Sequence, residues 1–387
     1  MAEVPRVALA ACSGYDLDAV EASLRRALTP LGGMAAYVRP GYRVALKPNL
    51  LRPVAPEAAA TTHPSVVAAT ARLVNEAGGT PFILDSSGGP NSATYLGVVH
   101  RTTGMTWAAK EGCAELLTRL HGIQVPLEGG LLLHRVDLVR EAVEADVLIN
   151  LPRLKTHGLT GLTVAVKNLF GLVPGTTKVG YHARLQDPAA FACGMVDVCA
   201  ASGADLHIVD AVVGMEGNGP SAGHPRTIGA LLAGEDALAV DVVAAALVGR
   251  DPLDVLTTRV AAEAGLLSGR LEDVALLGEP LEALIVVPPF LLPDAYRPGR
   301  RRTRSWFGRL AGGSLSRQLL VAPRASTRCT GCGLCARHCP AEAITVPNGH
   351  AVMDLAKCFR CYCCHELCPV LAVELHRPLL GRMVRRL

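Results

Sequence analysis

Nine of the thirteen cysteines fall between residues 329 and 368, in two runs that read CTGCGLCARHCP and CFRCYCCHELCP. In the first, Cys329, Cys332, Cys335 and Cys339 follow the pattern C-x2-C-x2-C-x3-C, with a proline next. In the second, Cys358, Cys361, Cys364 and Cys368, followed by Pro369, repeat that pattern. A constant offset of 29 superposes the runs and also pairs Ala343 with Ala372 and Ile344 with Val373. Three thiolates this close wrap one iron–sulfur cube, tight turns aim backbone N–H groups at its sulfurs, and a fourth ligand arrives from a distance. Zinc sites instead use paired C-x2-C knuckles across a longer loop. The spacing therefore predicts two 4Fe–4S clusters. Cys363 is left over and reads as a small residue beside a cluster. His338 and His365 read as tuning solvation or donating hydrogen bonds, not as ligands.

The duplicated run resembles a bacterial-type two-cluster ferredoxin module, a small α+β unit. That resemblance implies crossed ligation, the fourth cysteine of each run serving the other cluster. Cluster 1 would use Cys329, Cys332, Cys335 and Cys368. Cluster 2 would use Cys358, Cys361, Cys364 and Cys339.

Charge divides the chain near the same place. Residues 295 to 387 carry sixteen Lys and Arg against four acids, and the first 294 carry 22 basic and 30 acidic residues. The expected organisation is an α/β domain over 1–293, a basic linker over 294–326, the ferredoxin-type domain over 327–376 and a basic tail over 377–387. Between Asp294 and Cys329 stand nine arginines and no acid. Thiolate-held clusters are anionic, so part of this excess offsets them. The stretch reads as a solvated connector. The sharper alternative is a docking strip for an acidic redox partner or an anionic membrane surface, anchored by Trp306 and Phe307. No nucleic-acid module accompanies the arginines, so nucleic acid is not an expected partner. No run of eighteen apolar residues could span a membrane. The box LAAC, Leu9 to Cys12, follows too few apolar residues for a signal peptide. RVALAAC reads as a first strand, and the protein as cytoplasmic.

The first 292 residues alternate short apolar runs with helical patterns. Strands are expected at RVALAA, RVALKP, PFILD, DVLINL, LHIVD and ALIVV, and helices at DLDAVEASLRRAL, PSVVAATARLVNEAG and DALAVDVVAAALVG. Such alternation predicts an α/β domain with a largely parallel sheet, whose ligand sites lie beyond the strands' carboxyl ends. Lys47 and Asn49, Asp85 and Ser86, and Asp210 stand at such ends. No G-x-G-x-x-G or Walker A sequence supports a nicotinamide or nucleoside triphosphate. In NLPRLKTHGLTGLTVAVKNLFGLVPG, Lys155, His157, Lys167 and Asn168 can bind an anion, or polarise a carbonyl while His157 moves a proton. In DAVVGMEGNGPSAGHPR, glycines permit close ligand approach, Glu216 is an acid or metal ligand, and Asn218 joins Asp210 as a binding residue.

The stretches LKPNL, TTHPSVV, LPRLKTHGLTGLTVAVKNLFG and MEGNGPSAGHPR resemble the family called domain of unknown function 362. Its members often carry a C-terminal two-cluster ferredoxin module, which implies an iron–sulfur protein and a reductase. A fainter resemblance is to lactate racemase, carried by the order His157, Lys167, Pro174-Gly175. It implies a nickel cofactor on Lys167, although Asn168-Leu169-Phe170 departs from that pattern. The expectation is an oxidoreductase in which the ferredoxin module feeds electrons to an anionic or carbonyl-bearing small molecule in the α/β domain. The alternative is an electron carrier or cluster-delivery protein without turnover.

Overall fold

The computed structural model describes residues 4–89, 91–175, 177–296 and 321–376. Ten strands form one mixed, mostly parallel sheet: β1 (Arg6–Ala11), β2 (Arg43–Pro48), β3 (Thr80–Ile83), β4 (Glu115–Leu116), β7 (Val147–Leu151), β8 (Arg153–His157), β9 (Gly161–Thr163), β10 (Leu206–Glu216), β11 (His224–Gly234) and β12 (Ala275–Gly278). A separate hairpin pairs β5 (Gly122–Pro126) with β6 (Arg135–Val139). The main order is β12-β1-β11-β10-β7-β2-β3-β4, with β8 paired to β10 and β9 to β8.

The inner strands are apolar along nearly their whole length because both faces are covered. Successive side chains point to opposite faces, so Val7 and Leu9 of β1 join one core while Ala8 and Ala10 join the other. β10 divides likewise, with Val209 and Ala211 on one side and Ile208 and Val212 on the other. Helices Leu17–Leu28 and Pro64–Glu76 cover one face, and Pro188–Ser202 and Ala237–Leu247 the other. Each buried Val, Leu or Ile contributes roughly 1.5–3 kcal/mol. Asp16, Asp187 and Asp236 accept from N–H groups of their helices' first turns, supplying partners those donors otherwise lack.

Two expectations need correction. ALIVV is not a strand: residues 281–283 form a 3-10 turn, and Val287 is 82% exposed. Pro280, Pro288 and Pro289 flank the run and offer no N–H to a ladder. The edge strand is β12, parallel to β1. The glycine-rich stretch after Glu216 turns the chain into β11, which lies antiparallel between β1 and β10 and was not anticipated as a strand.

The cysteine-rich unit contains four short strands, β13 (Ala322–Ala325), β14 (Ile344–Thr345), β15 (Val352–Met353) and β16 (Val373–His376). β13 pairs with β16, so this unit's sheet takes in residues read from sequence as linker. Helical turns Leu334–Arg337 and Cys363–Glu366 stand at the 29-residue offset of the repeat. Trp306, Phe307 and the tail 377–387 lie outside the described residues. Among the described residues no helix is long and apolar enough to cross a membrane.

Candidate functional site

Two hollows open among the cysteines. One is bordered by Cys329, Cys332, Cys335 and Cys368, the other by Cys339, Cys358, Cys361 and Cys364 together with Cys363. The cysteines fall into the crossed sets implied by the ferredoxin resemblance, and a group of cysteines around each hollow suits an iron–sulfur centre. Backbone N–H groups already point at sulfur: Ala343 donates to Cys339 at 3.3 Å, Ala351 to Cys329 at 3.4 Å and Ala372 to Cys368 at 3.1 Å. Such bonds tune a cluster's potential. Cys363 occupies the place of Leu334 in the repeat and is buried. Hydrogen bonding between its thiol and Cys361 pulls the Cys361 thiol down and holds the Cys363 thiol well up. Among the described residues no three His, Cys, Asp or Glu converge to hold a single metal ion.

The second feature is a buried polar network at the carboxyl ends of β2, β3, β7 and β8. Lys47 Nζ lies 2.7 Å from Asp85 Oδ1 and donates to Asn168 Oδ1 at 3.2 Å. Asn49 Nδ2 donates to the same oxygen at 2.9 Å, and Asn168 Nδ2 donates to Asn150 Oδ1 at 2.8 Å. Lys155 Nζ donates to Asn49 Oδ1 at 2.6 Å and to the Ala60 carbonyl. Gly171 permits this packing, because a Cβ there would overlap both Asp85 and Lys47. Ser86 accepts from Gly175 N at 2.7 Å, while Lys178 donates to the Ser86, Val173 and Gly171 carbonyls. Asp241 accepts from Ala165 N at 2.7 Å and so fixes the turn Ala165–Asn168 that presents Lys167 and Asn168.

Crowded cations and burial weaken the ammonium forms. Burial, then Lys167, drives Lys155 well below the ordinary lysine range, and burial brings Lys178 down to about 7. Lys167 is lowered by burial, with Glu366 opposing; its Nζ lies over the Phe170 and Phe191 rings at 5.4 and 5.7 Å.

The cysteine-rich unit closes the network. Its turn Cys363–Glu366 brings Glu366 Oε1 to 3.2 Å from His157 Nε2, at an angle short of hydrogen-bond alignment. His157 Nδ1 accepts from Leu159 N at 3.1 Å, which leaves the proton of the neutral ring on Nε2. Burial lowers His157 and His182 to about 4. Burial alone would raise Glu366, but His157 and Lys167 outweigh it and hold the carboxyl at about 2. Ser221 Oγ donates to the Glu366 carbonyl at 3.1 Å, and Arg52 donates to the Pro369 carbonyl at 3.4 Å.

Lys47, Asn49, Asp85, Lys155 and Asn168 therefore share one network, with Ser86 on its flank and His157 and Lys167 facing Glu366. Asp210, Glu216 and Asn218 are committed elsewhere. Asp210 accepts from Tyr15 Oη and His63 N, both at 2.8 Å, and pairs with buried Arg153. Glu216 binds Arg226 at 2.8 Å and Leu291 N at 3.0 Å, and Asn218 accepts from Asp294 N at 2.9 Å. These last two clasp the segment before the linker. Sequence reasoning missed Asn150, Lys178, His182 and Glu366. Only Glu366 carried a local signal, an acid set between two ligand-type cysteines.

The sequence matches the family described as Domain of unknown function (DUF362) over residues 44–246 and a 4Fe-4S binding domain over residues 326–345. It is 38% identical over 302 residues to a protein of Synechocystis sp. called thylakoid-associated, covering 76% of this chain and 90% of that one. Lactate racemase apoprotein from Thermoanaerobacterium thermosaccharolyticum aligns with a TM-score of 0.37 at 16% identity, over 59% of this chain and 54% of that one. This chain thus spans little more than half of the racemase's length. With its cysteine-lined hollows beside an α/β domain, the chain is an iron–sulfur protein and belongs to the DUF362 family.

Proposed function

We propose that the chain is an oxidoreductase that holds two 4Fe–4S clusters in the crossed cysteine sets and reduces a carbonyl-bearing or anionic small molecule at the junction with the α/β domain. One observation carries this reading: the turn that bears Cys364 also presses Glu366 to 3.2 Å from His157. A cysteine-held centre and a set of proton-carrying groups are thereby only a few side chains apart. The bound clusters would supply single electrons, one each, recharged by an acidic electron-carrier protein drawn to the basic C-terminal part. Reduction of a carbonyl to an alcohol consumes two electrons and two protons. Lys167 and His157, with its proton on Nε2, hold protons at the site, while Lys47, Asn49, Lys155 and Asn168 fix its shape and positive potential. Burial lowers each of these ammonium groups, a shift in the direction that favours proton transfer from Lys167.

The test is anaerobic reduction of the holoprotein, followed by addition of aldehydes, ketones and 2-oxo acids. The visible absorption bleached on reduction should return, with one alcohol formed per two electrons consumed. Reoxidation by partner proteins alone would assign the chain to electron carriage without turnover. Nickel on intact-mass and metal analysis, with a covalent adduct at Lys167, would overturn the reductase in favour of racemase-like chemistry.

A further inference from the structure

The two cysteine loops differ where a duplicated module has most reason to agree. Gly331 and Gly333 of the first run adopt φ of +68° and +72°. At the 29-residue offset stand Arg360 and Tyr362, at +62° and +63°. Glycine takes this left-handed conformation freely and residues with a Cβ do not, so the second loop keeps two side chains at strained positions. Non-glycine residues held in this way cluster at functional sites. Thr330 is likewise replaced by Phe359.

All three substituted side chains face one space. A cavity of about 490 Å³ lies between this loop and the α/β domain, bordered by Phe359, Arg360, Cys361 and Tyr362 on one side and by His182, Phe191, Arg259 and Tyr296 on the other. That volume accommodates a drug-sized ligand. Its polar groups are sorted by depth: Asp187 and Glu263 are exposed, whereas Arg259 is half-buried and His182 is buried. His182 stacks on Phe191 at 4.5 Å, and its ring nitrogens make no hydrogen bond among the described residues. The lining is thus aromatic and apolar with guanidinium groups and a neutral imidazole, and its two acids are among its more exposed members. Tyr362 is fixed by donating to the Val321 carbonyl at 3.1 Å, so the aromatic wall is preformed.

We propose that this cavity binds a planar, apolar-bodied carboxylate, stacked between Phe359 and the Phe191–Tyr296 side, with its carboxylate held by Arg259 and Arg360. None of Lys155, His157 and Lys167 lines this cavity, so the proposal assigns a binding site beside the polar network and rests on the oxidoreductase reading only for the cluster behind Cys361. Binding is measured without turnover, so the two can fail separately.

The experiment is anaerobic isothermal titration of the holoprotein with 2-naphthoate, using acetate as the ring-free control and 2-naphthylmethanol as the charge-free one. Naphthoate should bind at least tenfold more tightly than either control. Arg360→Gly restores the first run's residue at a left-handed φ, and should weaken naphthoate at least tenfold while iron content and visible spectrum stay unchanged. Arg259→Gln should weaken it similarly, and decides alone if Arg360→Gly fails to hold iron. Equal binding of naphthoate and acetate, unchanged naphthoate binding in the variants, or no binding of naphthoate at all overturns the proposal.

Discussion

Glu366 supplies the negative charge that faces His157, Lys167 and His182. Replacing it by Gln keeps the shape and removes the counter-charge, leaving Lys167 beside a neutral amide. Unpairing a buried charge costs roughly 3–5 kcal/mol, and the half-buried position of Lys167 reduces this to about 2 kcal/mol. Glu366→Gln should therefore lower the denaturation midpoint while leaving cluster absorption intact, checked by anaerobic guanidinium titration of the holoprotein. At this scale the sequence was partly legible. Lys155, His157, Lys167 and Asn168 stood out because charged and amide groups followed a run of apolar strand. Asn150 did not, because an amide inside VLINL has the same letters whether it faces solvent or Asn168. Glu366 was marked by its place between two ligand-type cysteines, but its partners lie in another unit of the chain, so that mark does not report the contact.

Elements obeyed local rules where packing agreed with them. Alternation in RVALAA and LHIVD placed β1 and β10, because each divides its side chains between two covered faces. ALIVV satisfied the same hydrophobic test and failed, since the prolines around it deny the hydrogen bonds a strand needs. β11 was missed because its first residues, His224 to Thr227, are three polar residues and a proline, and its pairing with β10 is antiparallel within a mostly parallel sheet. In the cysteine-rich unit the repeat was legible to the residue, and the two helical turns, not called from sequence, stand at its offset. The proposed crossed ligation gives a clear prediction. Cys339→Ala should perturb the centre bound by Cys358, Cys361 and Cys364, and Cys368→Ala the one bound by Cys329, Cys332 and Cys335. Iron content of each variant, with electron paramagnetic resonance of the reduced protein, distinguishes crossed from uncrossed ligation.

For the whole molecule, burial of ionisable groups sets an acid limit. Burial lowers five histidines, His63, His100, His157, His182 and His207, to about 4. Between about 4 and the ordinary histidine value of 6.5, the unfolded chain binds more protons than the folded one, so stability falls as pH falls through that window. Glu366, held at about 2, adds a loss below the ordinary carboxyl range. Lys178 works at the other end: lowered to about 7, it makes stability rise with pH from about 7 toward the ordinary lysine value. Anaerobic denaturation midpoints measured from pH 8 to pH 5 should decline steadily, most steeply below 6.5. His207→Gln should flatten the acid limb by about one proton.

The turn that closes the polar network is shaped by cysteines, and it follows the whole α/β domain in the chain. Lys155 and Lys167 are therefore made early and enclosed late, after residues 358–368 have been both synthesised and drawn around metal. A chain that has folded its sheet but received no iron should expose these lysines more, which amide hydrogen exchange of the iron-free protein checks. The fraction of molecules with a finished site would then follow iron and sulfide supply as much as folding, with cluster insertion as the last inspection step in assembly.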